Sequence, residues 1–148
     1  MKCPFCQRLE TEVIETRDSE DNATTRRRRA CIHCGKRFTT YERVEVEPLI
    51  VIKKDKRREQ FNREKLQRGI LKAGEKTTLS LDSINSLVDK VERELRGADT
   101  SEIESQKIGR TVARELKKID KLAYIRFASV FRQFVDLEDL EKELKKIS

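Results

Sequence analysis

Four cysteines are the residues of this sequence with the clearest chemistry, and all of them lie within its first 34 residues. They form two C-x-x-C pairs, Cys3 with Cys6 and Cys31 with Cys34. Four thiolates at this spacing can close a tetrahedron around one Zn²⁺ ion. Gly35 follows the second pair and permits the left-handed conformation that such a tight turn needs. The pattern predicts one structural zinc per chain, because four thiolates leave no open coordination position.

A disulfide framework and a redox pair are the alternative interpretations of these cysteines. Disulfides are rare in cytosolic proteins. A redox C-x-x-C opens a helix within a larger βαβ unit, and no such pattern surrounds either pair. His33 is the single histidine and lies between the cysteines of the second pair. We expect its side chain to point away from a tetrahedron that is already complete.

The elements that must position the cysteines read as three short antiparallel strands. Residues 11–16 are β-prone, residues 18–22 form a turn cluster, and residues 24–30 return towards the second pair. Residues 37–46 alternate well enough for a third strand. About 45 residues bury too little apolar surface to fold alone, so the metal must supply folding free energy. The prediction is a zinc ribbon.

Positive charge is concentrated in the second half of this ribbon. Residues 26–43 contain seven arginines and lysines against Glu42 alone, whereas residues 8–21 are mainly acidic. A polarised cationic strand suits a phosphate backbone. The alternative is an edge strand that its charge keeps soluble. The charges do not distinguish DNA from RNA.

Alternation along the second strand divides its arginines into two sets. Arg26 and Arg28 share one face of the strand, while Arg27 and Arg29 share the other. We expect one pair to reach base edges and the other to contact phosphates. The candidate contacts are Arg17, Arg26, Arg27, Arg28, Arg29, Lys36 and Arg37.

Composition limits the class of protein. Charged residues make up 41% of the 148 residues, and the formal net charge is +7, which favours anionic partners. No apolar run approaches the roughly 18 residues of a membrane span, and residues 1–20 lack the apolar core of a signal peptide. We expect a cytoplasmic protein without a membrane partner.

The composition changes after Pro48, and no cysteine follows it. Residues 49–52 read as a buried strand. Helical periodicity then predicts a first helix that is capped by Asn62 and stopped by Gly74. A second helix begins at Ser80 or Asp82 and ends at Gly97.

Three further helical segments complete the predicted bundle. Ser105 can start a third helix, and a fourth spans residues 120–134. The side chains expected to crowd one face of the fourth helix are Phe127, Val130, Phe131 and Phe134. Residues 139–146 form an amphipathic tail through Leu140 and Leu144, which could pack on a partner subunit. The fold class is therefore α+β: a three-stranded ribbon followed by a mainly helical bundle with a small β cap.

Generic motifs give this bundle no catalytic role. The sequence has no G-x-x-x-x-G-K-[ST] loop, no G-x-G-x-x-G, and no Cys/His or Ser/His pair for covalent catalysis. The basic residues of segment 53–58 would, by themselves, be a solvated turn. The residue types and their spacing indicate a zinc ribbon with a helical regulatory or oligomerisation domain.

Resemblance to known families extends this interpretation. The run V-I-K-K-D-K-R-R-E-Q-F-N-R-E-K-L, residues 51–66, resembles the opening of an ATP-cone, a domain that senses adenine nucleotides. An N-terminal C-P-F-C, an arginine run before C-x-x-C-G-K-R-F-T-T-Y-E-R, and a later A-Y-I-R-F-A-S-V-F are similar to the NrdR family. That family comprises bacterial transcriptional repressors of ribonucleotide reductase genes. The resemblance covers residues 1–137.

The resemblance implies a function and a division of the chain. Residues 1–46 would bind double-stranded operator DNA, and residues 47–137 would bind ATP or dATP as a regulatory ligand. Residues 138–148 would form a helical tail. The nucleotide would set the state of a homo-oligomer, and the protein would be a nucleoid-associated repressor and not an enzyme.

The same resemblance assigns roles to residues of the cone. Lys53, Lys54 and Lys65 would bind phosphates, and Ser105 would begin the helix that closes over the base. Glu59, Phe61 and Asn62 would contact the base or the sugar. The full candidate set is Val51, Ile52, Lys53, Lys54, Glu59, Phe61, Asn62, Lys65, Leu66, Ser105 and Ile108.

Three positions depart from the family pattern. Lys56 replaces the usual glycine, so the turn is expected to differ. Gln60 replaces a proline. Phe131 replaces a tyrosine and removes a hydroxyl that could separate ribose from deoxyribose.

Two other functional classes remain open at this point. A zinc-ribbon factor associated with RNA or RNA polymerase would use the ribbon but give no reason for the cone. A detached regulatory piece of a reductase is the enzymatic alternative, although no thiol would remain for radical chemistry.

Overall fold

The computed structural model describes residues 1–147, and the chain divides into two units, Met1–Val46 and the remainder from Glu47. In the first unit, strands β1 (Thr11–Asp18), β2 (Thr24–Cys31) and β3 (Arg37–Arg43) form an antiparallel sheet in the order β1-β2-β3. This arrangement confirms the three-stranded ribbon predicted from the sequence.

The third strand is shorter than predicted. Its pairing with β2 ends at Thr24 and Arg43, so no strand lies opposite residues 44–46. Val44 and Val46 are correspondingly 83% and 60% exposed. Alternation of residue types continues beyond the strand, but pairing does not, and pairing is what defines a strand.

Apolar burial in the ribbon is almost confined to the cysteines. Among residues 1–46 the buried hydrophobic side chains are Cys3 and Cys31. Hydrophobic burial therefore contributes little to the stability of this unit, which agrees with the expectation that a metal holds it together.

A small mixed sheet opens the second unit. Strand β4 (Ile50–Ile52) lies between the antiparallel β5 (Arg58–Gln60) and the parallel β6 (Glu102–Glu104). Sequence reasoning missed β5 and β6, because three-residue strands rich in charge carry no readable alternation.

Five helices follow or separate these strands: α1 (Arg63–Ala73), α2 (Leu81–Arg96), α3 (Ser105–Ile119), α4 (Lys121–Phe131) and α5 (Leu137–Lys145). Asn62 and Ser80 cap α1 and α2 by accepting backbone N–H bonds, so Ser80 and not Asp82 begins the second helix. Their apolar faces meet those of α3 and α4 in one core, whose fully buried members include Ile70, Val88, Val91 and Leu116.

The fourth helix is shorter than predicted and uses fewer of its apolar residues. It ends at Phe131, and Phe134 lies beyond it, partly buried against the core. Val130 is 78% exposed, so its expected place on the aromatic face is wrong. A residue one position before Phe131 points about 100° away from it on a helix.

The tail helix is anchored by a buried carboxylate beside the half-buried Leu140. Glu143 is 2% exposed and accepts hydrogen bonds from the Tyr124 hydroxyl, from Arg132 at 2.7 Å and from Lys146 at 3.0 Å. Leu144 is 44% exposed. Thus α5 packs against α4 of its own chain. Within residues 1–147, the helices are too short or too polar to cross a bilayer.

Candidate metal centre, nucleotide cavity and nucleic-acid face

The four cysteine sulfurs converge at one end of the ribbon. All four Sγ atoms lie within 4.8 Å of one another, with 3.7 Å between Cys3 and Cys34 and 3.5 Å between Cys6 and Cys31. Zn–S bonds of about 2.3 Å in a tetrahedron place the sulfurs about 3.8 Å apart. These separations are far longer than the S–S bond of about 2.05 Å in a disulfide. The geometry therefore fits a structural Zn²⁺ held by four thiolates.

Each cysteine pair forms a knuckle with the same backbone bonds. The N–H of Cys3 donates to the carbonyl of Arg8 at 2.8 Å, and that of Cys31 donates to the carbonyl of Lys36 at 3.0 Å. Gly35 takes the left-handed conformation predicted for it, with φ of 71°. Gln7 occupies the matching place in the first knuckle with φ of 65°.

A backbone donor favours the thiolate form of Cys31. The N–H of Cys34 lies 3.5 Å from Sγ of Cys31 and lowers the pKa of that thiol to about 6, against the opposing effect of burial. His33 is turned away from the sulfurs, as predicted. Its Nε2 bonds Glu10 at 2.7 Å, and its Nδ1 accepts from Arg8 at 3.0 Å.

A cavity of about 570 Å³ opens between the small sheet and helices α1, α3 and α4. Ten of the eleven nucleotide-site residues predicted from the sequence line it: Val51, Lys53, Lys54, Glu59, Phe61, Asn62, Lys65, Leu66, Ser105 and Ile108. The exception is Ile52, which alternates to the other face of β4 and lines a separate cavity of about 340 Å³.

Seven further residues line the larger cavity: Asp55, Arg57, Gly69, Gly109, Phe127, Phe131 and Gln133. Of these, only Phe131 was linked to the nucleotide beforehand, through the tyrosine that it replaces in the family pattern. The ring of Phe131 stacks on that of Phe127, with centroids 5.8 Å apart. For Gly69 and Gly109, the one sequence feature that could have indicated a role at the cavity is the presence of glycine inside a predicted helix.

The charged residues at the cavity are partly paired with one another. Glu59 binds the ammonium of Lys65 at 2.9 Å and that of Lys53 at 3.1 Å. These bonds, first from Lys65 and then from Lys53, lower the pKa of Glu59. Within residues 1–147 Lys54 has no ion pair. A phosphate in the cavity would therefore contact the unpaired ammonium of Lys54 and the ammonium groups of Lys53 and Lys65, which Glu59 holds in place.

The hairpin between β4 and β5 keeps the geometry that glycine usually supplies. Lys56 has φ of 67°, and its N–H donates to the carbonyl of Lys53 at 2.9 Å. Asp55 accepts from the backbone and Nε of Arg57, at 3.1 and 2.6 Å. Lys56 thus adopts the left-handed conformation itself, at the position where the family pattern has glycine.

The two faces of the ribbon sheet differ in charge. Residues directly opposite one another across the strands share a face, which places Arg26 and Arg28 with Tyr41 and three more arginines, Arg17, Arg37 and Arg43. Glu12 and Glu15 are the acids of this Arg26/Arg28 face. On the Arg27/Arg29 face, the two arginines are matched by two acids, Asp18 and Glu42.

Ion pairs form on both faces of the sheet, and on the Arg26/Arg28 face Glu15 pairs with both Arg17 and Arg26. Arg27 pairs with Glu42 at 3.4 Å, and Nε of Arg29 donates to the Thr40 hydroxyl at 3.3 Å. On the other face, Arg28 has no ion pair within the described residues. Lys36 lies on neither face; its ammonium sits 5.0 Å from the ring centroid of Phe5, near the knuckles.

Comparison with known proteins accounts for both units. The family model "Transcriptional repressor NrdR-like, N-terminal domain" matches residues 1–42, and the model "ATP cone domain" matches residues 49–137. The chain is 47% identical over 147 residues to "Transcriptional repressor NrdR" of Caldicellulosiruptor bescii, covering 99% of this chain and 96% of the relative. The proteins of the same name from Agathobacter rectalis and Streptococcus suis are 51% and 49% identical, with 97% and 90% of each relative covered. These relatives are named as repressors and not as enzymes, and the chain belongs to the NrdR family of transcriptional repressors, with a zinc ribbon and an ATP-cone.

Proposed function

We propose that this protein represses ribonucleotide reductase genes by binding their double-stranded operator DNA, and that ATP or dATP controls this binding. Residues 1–46 bind the DNA, residues 47–137 bind the nucleotide, and residues 138–148 form a tail. The protein acts in the cytoplasm, associated with the nucleoid. The observation that carries the proposal is the presence, in one chain, of a cationic sheet face and a cationic ligand cavity.

The Arg26/Arg28 face is the DNA-contacting surface in this proposal. It has five arginines against two glutamates, whereas the arginines of the Arg27/Arg29 face are balanced by acids. Within residues 1–147 the guanidinium of Arg28 has no ion pair, so binding a phosphate or a guanine edge there breaks none. Arg27 and Arg29 instead hold the sheet through Glu42 and Thr40.

An adenine nucleoside triphosphate suits the cavity in size and charge. Ligand sites occupy about 300–1,000 Å³ and combine apolar walls with a few polar groups. Here Lys53, Lys54 and Lys65 supply cations for the phosphates, and Phe127 and Phe131 supply flat apolar walls for the base. The first turn of α1 adds free backbone N–H groups beside the cavity.

The nucleotide acts on DNA binding through the oligomer. One ribbon is a small footprint for tight specific binding, so the DNA-competent state presents two or more ribbons at matched spacing. A ligand shifts an equilibrium between assemblies only by its difference in affinity for them. ATP and dATP therefore favour different cone-to-cone packings.

The direct test is binding to labelled promoter DNA of a ribonucleotide reductase gene, measured with the apo, ATP-loaded and dATP-loaded protein. We expect tight, sequence-dependent binding in one nucleotide state and at least about tenfold weaker binding in another. Equal affinity for promoter DNA and for a scrambled duplex in every state would refute the proposal.

A further inference from the structure

Two of the five glycines of the chain lie inside helices, and both line the nucleotide cavity. Gly69 is in α1 and Gly109 is in α3, whereas Gly35 belongs to a knuckle and Gly74 and Gly97 end helices. Glycine inside a helix is destabilising relative to alanine, because it loses more backbone freedom on folding. Each of the two positions therefore calls for a spatial reason.

Packing within the chain supplies that reason for Gly109. A Cβ atom at this position would lie 1.9 Å from Cε2 of Phe131, so the aromatic ring rests directly on the backbone of α3. The ring of Phe131 in turn stacks on Phe127. A side chain at position 109 would displace this wall of the cavity.

No such contact explains Gly69. Within the described residues, no heavy atom outside its own helix lies within 4 Å of a Cβ built there, and its φ is outside the left-handed region. Asn62, Leu66 and Gly69 recur at i, i+4 and i+7, which aligns them along the side of α1 that lines the cavity. The space that a side chain would fill at Gly69 is thus open cavity.

We propose that Gly69 is a specificity-determining position, where a bound nucleotide lies in van der Waals contact with the bare backbone of α1. This inference rests on the proposed nucleotide binding. Lys65 lies one helical turn earlier, about 6 Å along the axis, and provides the charge for a phosphate. Gly69 offers a flat surface without charge, which suits the ribose or the base. Alanine would stabilise the helix here, and glycine keeps the space for the ligand.

The test compares Gly69→Ala and Gly69→Leu with Arg68→Leu, a neighbouring exposed position that does not line the cavity. Calorimetry on the full-length zinc-loaded protein measures affinities for ATP, dATP and inorganic tripolyphosphate, which has no ring. We expect Gly69→Leu to weaken ATP and dATP at least about tenfold through overpacking, with tripolyphosphate affinity unchanged. Gly69→Ala should raise the melting temperature of the apo protein and weaken ATP to a smaller extent.

Several results would overturn this inference. The inference is wrong if Gly69→Leu binds ATP as tightly as Arg68→Leu does. It is also wrong if Gly69→Leu loses affinity for tripolyphosphate to the same extent as for ATP. If Gly69→Leu fails to fold, Gly69→Ala decides, because unchanged ATP affinity in that variant contradicts the steric role. Failure of the unaltered protein to bind ATP or dATP would instead overturn the proposed function.

Discussion

Several individual residues next to the zinc knuckles and the nucleotide cavity have a left-handed backbone conformation. Of residues 1–147, five other than glycine have positive φ, and three of these border a site. Gln7 closes the first zinc knuckle, Lys56 turns the hairpin next to the cavity, and Gln133 lines the cavity after α4. Conformations that are costly for a residue with a Cβ persist where the surrounding structure requires them.

Lys56→Gly should stabilise the cone, because glycine adopts the left-handed conformation without the Cβ clash that lysine meets. We expect a gain of up to about 1 kcal/mol in the free energy of unfolding, measured by urea denaturation of the zinc-loaded protein. Lys72→Gly is the control, since it removes the same charge from the last turn of α1 and should destabilise the protein. A loss of stability in Lys56→Gly would contradict the assigned strain.

Sequence reasoning at this scale succeeded where the signal was local. Gly35 directly after C-x-x-C, and Asn62 before an apolar helical stripe, announce a turn and a cap within a few residues. Gly69 stands out in the sequence only as a glycine inside a predicted helix, and Phe131 only through the family pattern. Neither signal shows that the two residues line one cavity, because α1 and α4 are far apart in the sequence and meet only in the folded chain. Val51 and Ile52 were both assigned to the site by resemblance, but the alternation of β4 separates them.

In the proposed function, the central strand of the ribbon is the element on which DNA binding depends. Its register with β1 and β3 gathers five arginines on one face and leaves balanced charge on the other. The sequence predicted the alternation of β2, but the cross-strand additions Arg43 and Tyr41 depend on register, which a single strand does not reveal.

Replacing Arg26 and Arg28 by glutamine should weaken operator binding and make its salt dependence less steep, by about one unit of slope for each phosphate that the protein no longer neutralises. Arg27→Gln with Arg29→Gln is the matched control, because it removes the same charge from the other face. We expect this control to retain most of the affinity. Equal weakening by the two double variants, in titrations across salt concentrations, would show that both faces bind DNA.

Zinc removal should unfold the ribbon without unfolding the cone. The ribbon buries few apolar side chains other than cysteines, whereas the cone has a continuous core of its own. We expect metal analysis to find one zinc per chain in the unaltered protein and none in Cys31→Ala. The variant should lose the dispersed amide NMR signals of residues 1–46 and keep those of the cone. An intact ribbon spectrum in the zinc-free protein would contradict the structural role.

Acid should loosen the packing between α2 and α3. Glu115 of α3 is buried and accepts from Lys90 of α2 at 2.6 Å, with Lys118 and Arg114 each at 3.1 Å. Lys90 above all, then Lys118 and Arg114, lower the pKa of Glu115 from 4.5 to about 2. A carboxylate with a lowered pKa stabilises the fold fully above about pH 4.5 and loses this contribution as the pH falls to about 2.

Glu115→Gln should therefore flatten the decline of stability between about pH 4.5 and 2 and lower stability at pH 7. The three cations are about half exposed, so we expect a decrease of only about 1–2 kcal/mol at pH 7. Glu64→Gln, on the exposed surface of α1, is the control. Parallel pH profiles of unfolding free energy for Glu115→Gln and the unaltered protein would rule out this contribution.

At the scale of the whole molecule, the proposed function requires coupling between nucleotide binding and DNA binding. The cavity is enclosed by residues of the second unit, and the arginine face belongs to the first. A signal that passes between them through the oligomer needs two assemblies that the nucleotides stabilise unequally. Helix α4 lines the cavity, and the tail helix α5 packs against it. A ligand in the cavity would therefore contact the same helix that supports α5.

Lys53→Ala or Lys65→Ala should abolish the response of the oligomer to nucleotide without disturbing zinc content or the folding of the protomer. Each lysine lies at the cavity and pairs with Glu59, so its removal takes away a cation for the phosphates. We expect light scattering to give different size distributions for the apo, ATP-loaded and dATP-loaded protein, and a single distribution for either variant. Lys121→Ala, at the exposed start of α4 and away from the cavity, should respond like the unaltered protein. Identical distributions of the unaltered protein in all three states, with equal operator affinity, would mean that the cone does not regulate the ribbon.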